Sequence, residues 1–168
     1  MLTVETHAAT PWPDAPDWEA LAGEAVAAAL ALTPFAALAD AAPLVEVAVR
    51  LTDDAEVQTL NRDFRGKDKP TNVLSFPQVQ DDLLEGLANS DDGEILLGDI
   101  VLARETCARE AAEKGVSLTE HATHLIVHGM LHLVGYDHID DAAAAAMEAI
   151  EVKALASLGI ANPYADHA

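Results

Sequence analysis

Apolar and polar positions along this chain follow two periods. Leu44 to Leu51 (LVEVAVRL) alternates apolar and polar, as a half-buried strand does, and strands are also predicted for Thr71 to Phe76, behind Pro70, and for Glu94 to Ala103. Helical spacing appears elsewhere. Asp17 can cap an Ala-rich helix running to about Leu32, and Asp53 or Asp54 a second one with Val57, Leu60 and Phe64 on one side and Gly66 at its end. An amphipathic helix reaches Lys114 and closes at Gly115, and another starts near Thr119. The last, Asp141 to Leu158, has Ile150, Leu155 and Leu158 as its core stripe and Gly159 as its C-cap.

Between these elements the chain is punctuated. Pro11, Pro13 and Pro16 remove backbone donors and bias their predecessors to extended conformations, so residues 1–16 read as a loose N-terminal leader before a single domain over 17–168. Residues 77–93, with Asp81, Asp82, Glu85, Asp91 and Asp92, read as a solvated acidic loop without the ligand spacing of a calcium loop. The apolar run Ala25 to Ala39 is broken by Pro34 and is too short for a membrane anchor, which needs roughly 20 apolar residues. The first residues are acidic, the reverse of a signal peptide. Cys107 stands alone, without a disulfide partner and with nothing near in sequence to activate it, which predicts a small buried side chain and a reducing, cytoplasmic setting.

Charge sharpens the picture. The formal net charge is −20, from 9 basic and 29 acidic residues, and a field of that sign repels phosphate backbones at long range. Of those nine cations, four (Arg62, Arg65, Lys67, Lys69) fall between positions 62 and 69. Arg62 suits a helix end, where cations complement the dipole. Arg65, beside Gly66 and ahead of Pro70-Thr71-Asn72, belongs to a donor-rich loop able to receive a phosphate.

The histidines carry the chemistry. His128 and His132 lie four residues apart, one helical turn, so both imidazoles can reach one ion. Continuing that helix to position 138 would swing the side chain about 240° away from His132. Gly135 breaks the helix, and a left-handed backbone there lets the chain turn back and present His138 as third ligand. Three histidines leave a fourth position open, the mark of a catalytic zinc rather than a structural one. His124, a turn before His128, is expected in a supporting or core role, while His121 and His7 are expected in solvent and His167 in the tail. The spacing H-x3-H-x2-G-x2-H is that of the metzincin proteases, but Gly129 stands where those enzymes carry their glutamate base. A glycine inside a helix implies a close approach to its backbone, for which a bulky anion beside the metal would qualify.

The stretches Leu60 to Pro77 (LNRDFRGKDKPTNVLSFP), Leu97 to Ala103 (LGDIVLA) and His124 to His138 (HLIVHGMLHLVGYDH) together resemble the YbeY endoribonucleases, bacterial ribosomal RNA maturation factors. The resemblance runs from about Leu44 to Tyr164, with Phe64 where the family commonly has tyrosine, while the Ala- and Pro-rich first forty residues look unlike any motif that carries over. It implies an α+β fold, a small mixed sheet packed with about five helices, and one Zn2+ ion on His128, His132 and His138. It also implies Arg65 as the catalytic, substrate-binding arginine. On this reading the protein is a single-strand-specific, metal-dependent endoribonuclease of rRNA processing (16S rRNA 3′ end maturation) and ribosome quality control. Its partners would be RNA and the small ribosomal subunit, with a ribosome-associated GTPase or ribosomal proteins, and no membrane.

Lys67 and Lys69 are then expected to bind flanking phosphates, and Asp137 to orient a ligand or proton or simply to cap its turn. Two other readings compete: an assembly factor with a structural zinc, and a zinc peptidase, which lacks its base at position 129.

Overall fold

The computed structural model describes residues 2–13, 16–40, 44–80, 83–84 and 94–164. The acidic residues Asp81, Asp82, Glu85, Asp91 and Asp92, and His167 in the tail, lie outside them. The described residues form an α+β fold. Five helices, α1 (Trp18–Ala31), α2 (Asp54–Arg65), α3 (Arg104–Lys114), α4 (Leu118–Leu133) and α5 (Asp141–Ser157), pack on a mixed sheet of β1 (Leu2–Ala8), β2 (Leu44–Thr52), β3 (Val73–Pro77) and β4 (Glu94–Ala103). The strand order is β1-β2-β4-β3; β1, β2 and β4 run parallel and β3 lies antiparallel on the β4 edge. No helix among the described residues is long and apolar enough to cross a membrane.

The N-terminal segment corrects the sequence reading. Leu2–Ala8 is not loose: it pairs along its length with β2, Val4 opposite Val47 and Thr6 opposite Val49. The prolines begin only after this strand, and the chain they stiffen is anchored too. Trp12 is buried, donates its indole N–H to the Thr52 carbonyl at 3.1 Å, and meets Trp18 edge to face.

Helix boundaries follow their caps. Asp53 takes the Glu56 amide at the start of α2, whereas the neighbouring Asp54 receives the amide (3.1 Å) and hydroxyl (2.8 Å) of Thr106 and so caps α3, which has no capping side chain of its own. Ser117 caps α4, one residue earlier than the pattern suggested. On α5 the buried stripe is Met147, Glu151, Ala154 and Leu155, while the predicted Ile150 and Leu158 are only half-buried. A glutamate thus occupies the apolar face. Cys107 is buried as expected, and burial pushes its thiol up to about 12.

Helix α4 is the centre of the molecule, buried on nearly every side by α1, α3, α5 and the sheet. It lies close to the sheet because position 129 lacks a side chain. A Cβ there would stand 2.9 Å from Ile100 Cγ2 and 3.2 Å from Ser75 Oγ, and Ile100 is fully buried with no room to withdraw. The expected anion is therefore not what Gly129 accommodates; β4 and β3 are. Gly129→Ala is expected to lower unfolding free energy by about 1–3 kcal/mol through overpacking, and Gly129→Glu by more, measured by denaturant titration of metal-stripped protein.

Candidate metal centre and anion cleft

The end of α4 builds the site. The Gly135 amide bonds the His132 carbonyl at 3.1 Å and the Tyr136 amide bonds the Leu131 carbonyl at 3.0 Å, with Gly135 at φ 94°. This left-handed termination reverses the chain as its glycine predicted. His128, His132 and His138 come together, their candidate ligand atoms all within 4.8 Å of one another.

The hydrogen bonds behind the rings decide which nitrogens face inward. His128 Nδ1–H donates to Glu151 Oε1 at 3.0 Å, and His132 Nδ1–H donates to the Tyr136 carbonyl at 2.9 Å. Each ring then keeps its lone pair on Nε2, and the two Nε2 atoms face each other at 3.0 Å. Two lone pairs at that distance repel unless a cation lies between them. Burial, reinforced by the neighbouring His128, lowers the pKa of His132, which favours the neutral, ligating form. His138 completes the cluster from the exposed side, its ring 5.2 Å from that of His132. The donor set, three imidazoles with two already oriented by acceptors, fits a borderline-soft divalent ion such as zinc.

Behind the cluster lies a group that the sequence reading missed. Glu151 is only 1% exposed, and its carboxylate accepts from His128, from His124 Nε2 at 3.0 Å and from the Tyr164 hydroxyl at 3.0 Å. Burial alone would raise its pKa; the hydrogen bonds from His124 and His128 outweigh that and hold it at about 2. Its signal in the sequence was a lone acid at helical spacing between Met147 and Leu155. His124 turns to Glu151 and stands outside the three-histidine group. His121 is not in solvent. It is 2% exposed, lowered in pKa by burial, and bonded through Nε2 to Glu110 at 2.9 Å. His7 is exposed. Asp137 is exposed and accepts the His138 amide at 2.7 Å, so its carboxylate caps the turn.

The cations reach the same place. A cleft of about 650 Å³ is lined by the three histidines together with Arg65, Lys67 and Lys69. Buried Asn61, another residue missed in the sequence, ties this loop to α2 by donating to the Lys69 carbonyl at 2.9 Å. Arg65 donates to the Ser75 carbonyl on β3 and lies over the Phe76 ring, 5.6 Å from its centroid. Arg62 points away to Asp63, 3.2 Å distant.

A family profile described as Endoribonuclease YbeY matches residues 13–159. A protein of that name from Sphingopyxis alaskensis is 88% identical over 99% of both chains. Another from Rhizorhabdus wittichii is 67% identical over 98% of both. Among solved structures, a solution structure from Thermotoga maritima matches with a TM-score of 0.55 at 21% identity, covering 95% of this chain and 92% of that one, a likeness of fold. With the profile and these relatives spanning nearly its whole length, the chain belongs to the YbeY endoribonuclease family.

Proposed function

We propose that this protein is a metal-dependent endoribonuclease for single-stranded RNA, with one zinc ion on His128, His132 and His138 and with Arg65 acting on the scissile phosphate. The observation that carries the reading is one cleft lined by three histidines and by Arg65, Lys67 and Lys69, in a chain of net charge −20. So few cations, gathered beside the histidines, suit an anionic substrate. The name shared by the relatives, Endoribonuclease YbeY, makes that substrate RNA. A cleft of this size suits an unpaired nucleotide, whose base can be splayed out, better than the body of a duplex. The family resemblance extends the proposal to maturation of 16S rRNA 3′ ends and ribosome quality control in the cytoplasm.

When bound, the ion supplies Lewis acidity, polarising a phosphoryl oxygen and making water more acidic. The rest falls to the chain. Glu151 and the Tyr136 carbonyl hold the His128 and His132 rings in one tautomer and orientation. Arg65, with one donor spent on Ser75, keeps others for the phosphate, where negative charge builds as the bond breaks. Lys67 and Lys69 neutralise neighbouring phosphates. Gly129 packs against Ile100, so the site has no carboxylate in the place where a metzincin protease keeps its base.

Two sets of variants test these roles. His128→Ala and His138→Ala are each expected to lose stoichiometric zinc; Glu151→Gln keeps a site but binds about 10–100-fold more weakly, and His124→Ala loses less. Competition with a chromophoric chelator reads this, and full zinc retention by either histidine variant rejects the ligand assignment. Arg65→Ala is expected to cut the single-turnover cleavage rate by about a hundredfold while changing RNA affinity less. Lys67→Ala and Lys69→Ala weaken binding and reduce its salt slope by about one each. Cleavage of single-stranded and duplex RNA, with and without chelator, tests the activity itself: cleavage undiminished by chelator removes the metal from the mechanism.

A further inference from the structure

We propose that the apolar cleft on the α2 face of the sheet is a base-stacking subsite, in which an unpaired nucleobase of the RNA lies against Phe64 and Phe76. The proposal rests on the nuclease reading above and adds to it where the chain next to the cut is held.

Strand β3 is an edge strand, and alternate side chains point to opposite faces. Ser75 faces α4, with its hydroxyl beside Gly129, whereas Leu74 and Phe76 face α2. Each face has its own cleft. The one on the α2 side, about 920 Å³, is lined by Leu60, Phe64, Phe76 and Val101 with Gln78 and Asp99. Arg65, Ser75 and Pro77 line both clefts, so the two meet across the β3 edge beneath the guanidinium. An enzyme that cuts inside a chain must hold nucleotides beyond the scissile phosphate. A strand leaving the histidine cleft past Arg65 enters this one.

The chemistry of the second cleft suits a base. The chain has three phenylalanines, and two of them meet here edge to face, 5.6 Å apart. Phe64 is 69% exposed, a large apolar ring left in water on an otherwise polar helix end. Every base has a π-face, and stacking on an aromatic ring is tolerant of sequence. Arg65 over Phe76 adds a planar cation at the entrance. Asp99 is paired with Phe76 in the β3–β4 register and lines the same cleft, offering an acceptor for an exocyclic amine. The remaining charges, Arg50 and Glu56, are paired with each other.

The test compares wild-type, Phe64→Ala and Phe64→Trp protein for binding to a short oligoadenylate and to an abasic ribose-phosphate chain of the same length. Wild type is expected to bind oligoadenylate about tenfold more tightly than Phe64→Ala, Phe64→Trp to match wild type, and the two to bind the abasic chain equally. A 2-aminopurine in the oligonucleotide is quenched by wild type and less by Phe64→Ala. Equal binding of oligoadenylate by wild type and Phe64→Ala, with cleavage intact, overturns the subsite alone and leaves the cleft to a protein partner. Wild type that neither binds nor cleaves either RNA overturns the nuclease reading and the subsite together. Because Phe64 is exposed, its replacement leaves the core untouched, and unchanged thermal unfolding checks this.

Discussion

A buried carboxylate stays charged only where donors replace the water it has lost. Glu151 meets that condition with His128, His124 and Tyr164, and the consequences spread from there. The interaction docks α5 against α4 at the level of the three-histidine cluster, fixes the His128 tautomer, and draws the chain after α5 back over His124. It also secures His138 indirectly. The turn that carries His138 begins at the left-handed end of α4 and finishes at Asp140, which caps α5 through the Ala143 amide at 2.7 Å. Both ends of that exposed turn are held by helices that Glu151 locks together.

The opposite side of α4 is set by contact rather than charge. Gly129 allows the helix to approach Ile100 and Ser75, and the same stretch of β3 receives Arg65 through the Ser75 carbonyl. The histidines and the arginine thus take their separation from one helix-to-sheet distance. A side chain at 129 would change that distance and move the two halves of the cleft apart, although it touches neither.

The most legible parts of the sequence were those whose physics is local. The three histidines lie within eleven positions of one another, and one glycine between them explains the reversal, so spacing alone brought them together. The strands β2, β3 and β4 and all five helices followed from periodicity and caps. What escaped depends on distant partners. Glu151 reads as a surface acid until His124 and His128, 27 and 23 residues away, are known to lie opposite it. His121 finds Glu110 in the same way. Strand β1 was hidden by the prolines behind it, because its partner β2 lies beyond the whole of α1. Gly129 was recognised as a place of close approach, but sequence could not say which neighbour approached. Asn61 and Ser75, ordinary polar residues by type, hold the cation loop and receive Arg65 only by virtue of the fold.

That the protein is so acidic and yet, on the nuclease reading, holds RNA is a matter of range. At physiological ionic strength charges are screened over about 8 Å, so a phosphate inside the cleft responds to Arg65, Lys67, Lys69 and any bound metal, not to the sum over the chain. Outside the cleft the same phosphate meets a surface of its own sign. Nonspecific adsorption, which supplies a basic nuclease with much of its affinity, is here opposed. Binding must then come from contacts that only the cleft provides: a few phosphate pairs, a metal, and stacking surfaces indifferent to salt. An apolar ring beside the cations has a physical reason in such a protein, since it adds affinity without adding the positive charge that would attract RNA everywhere else.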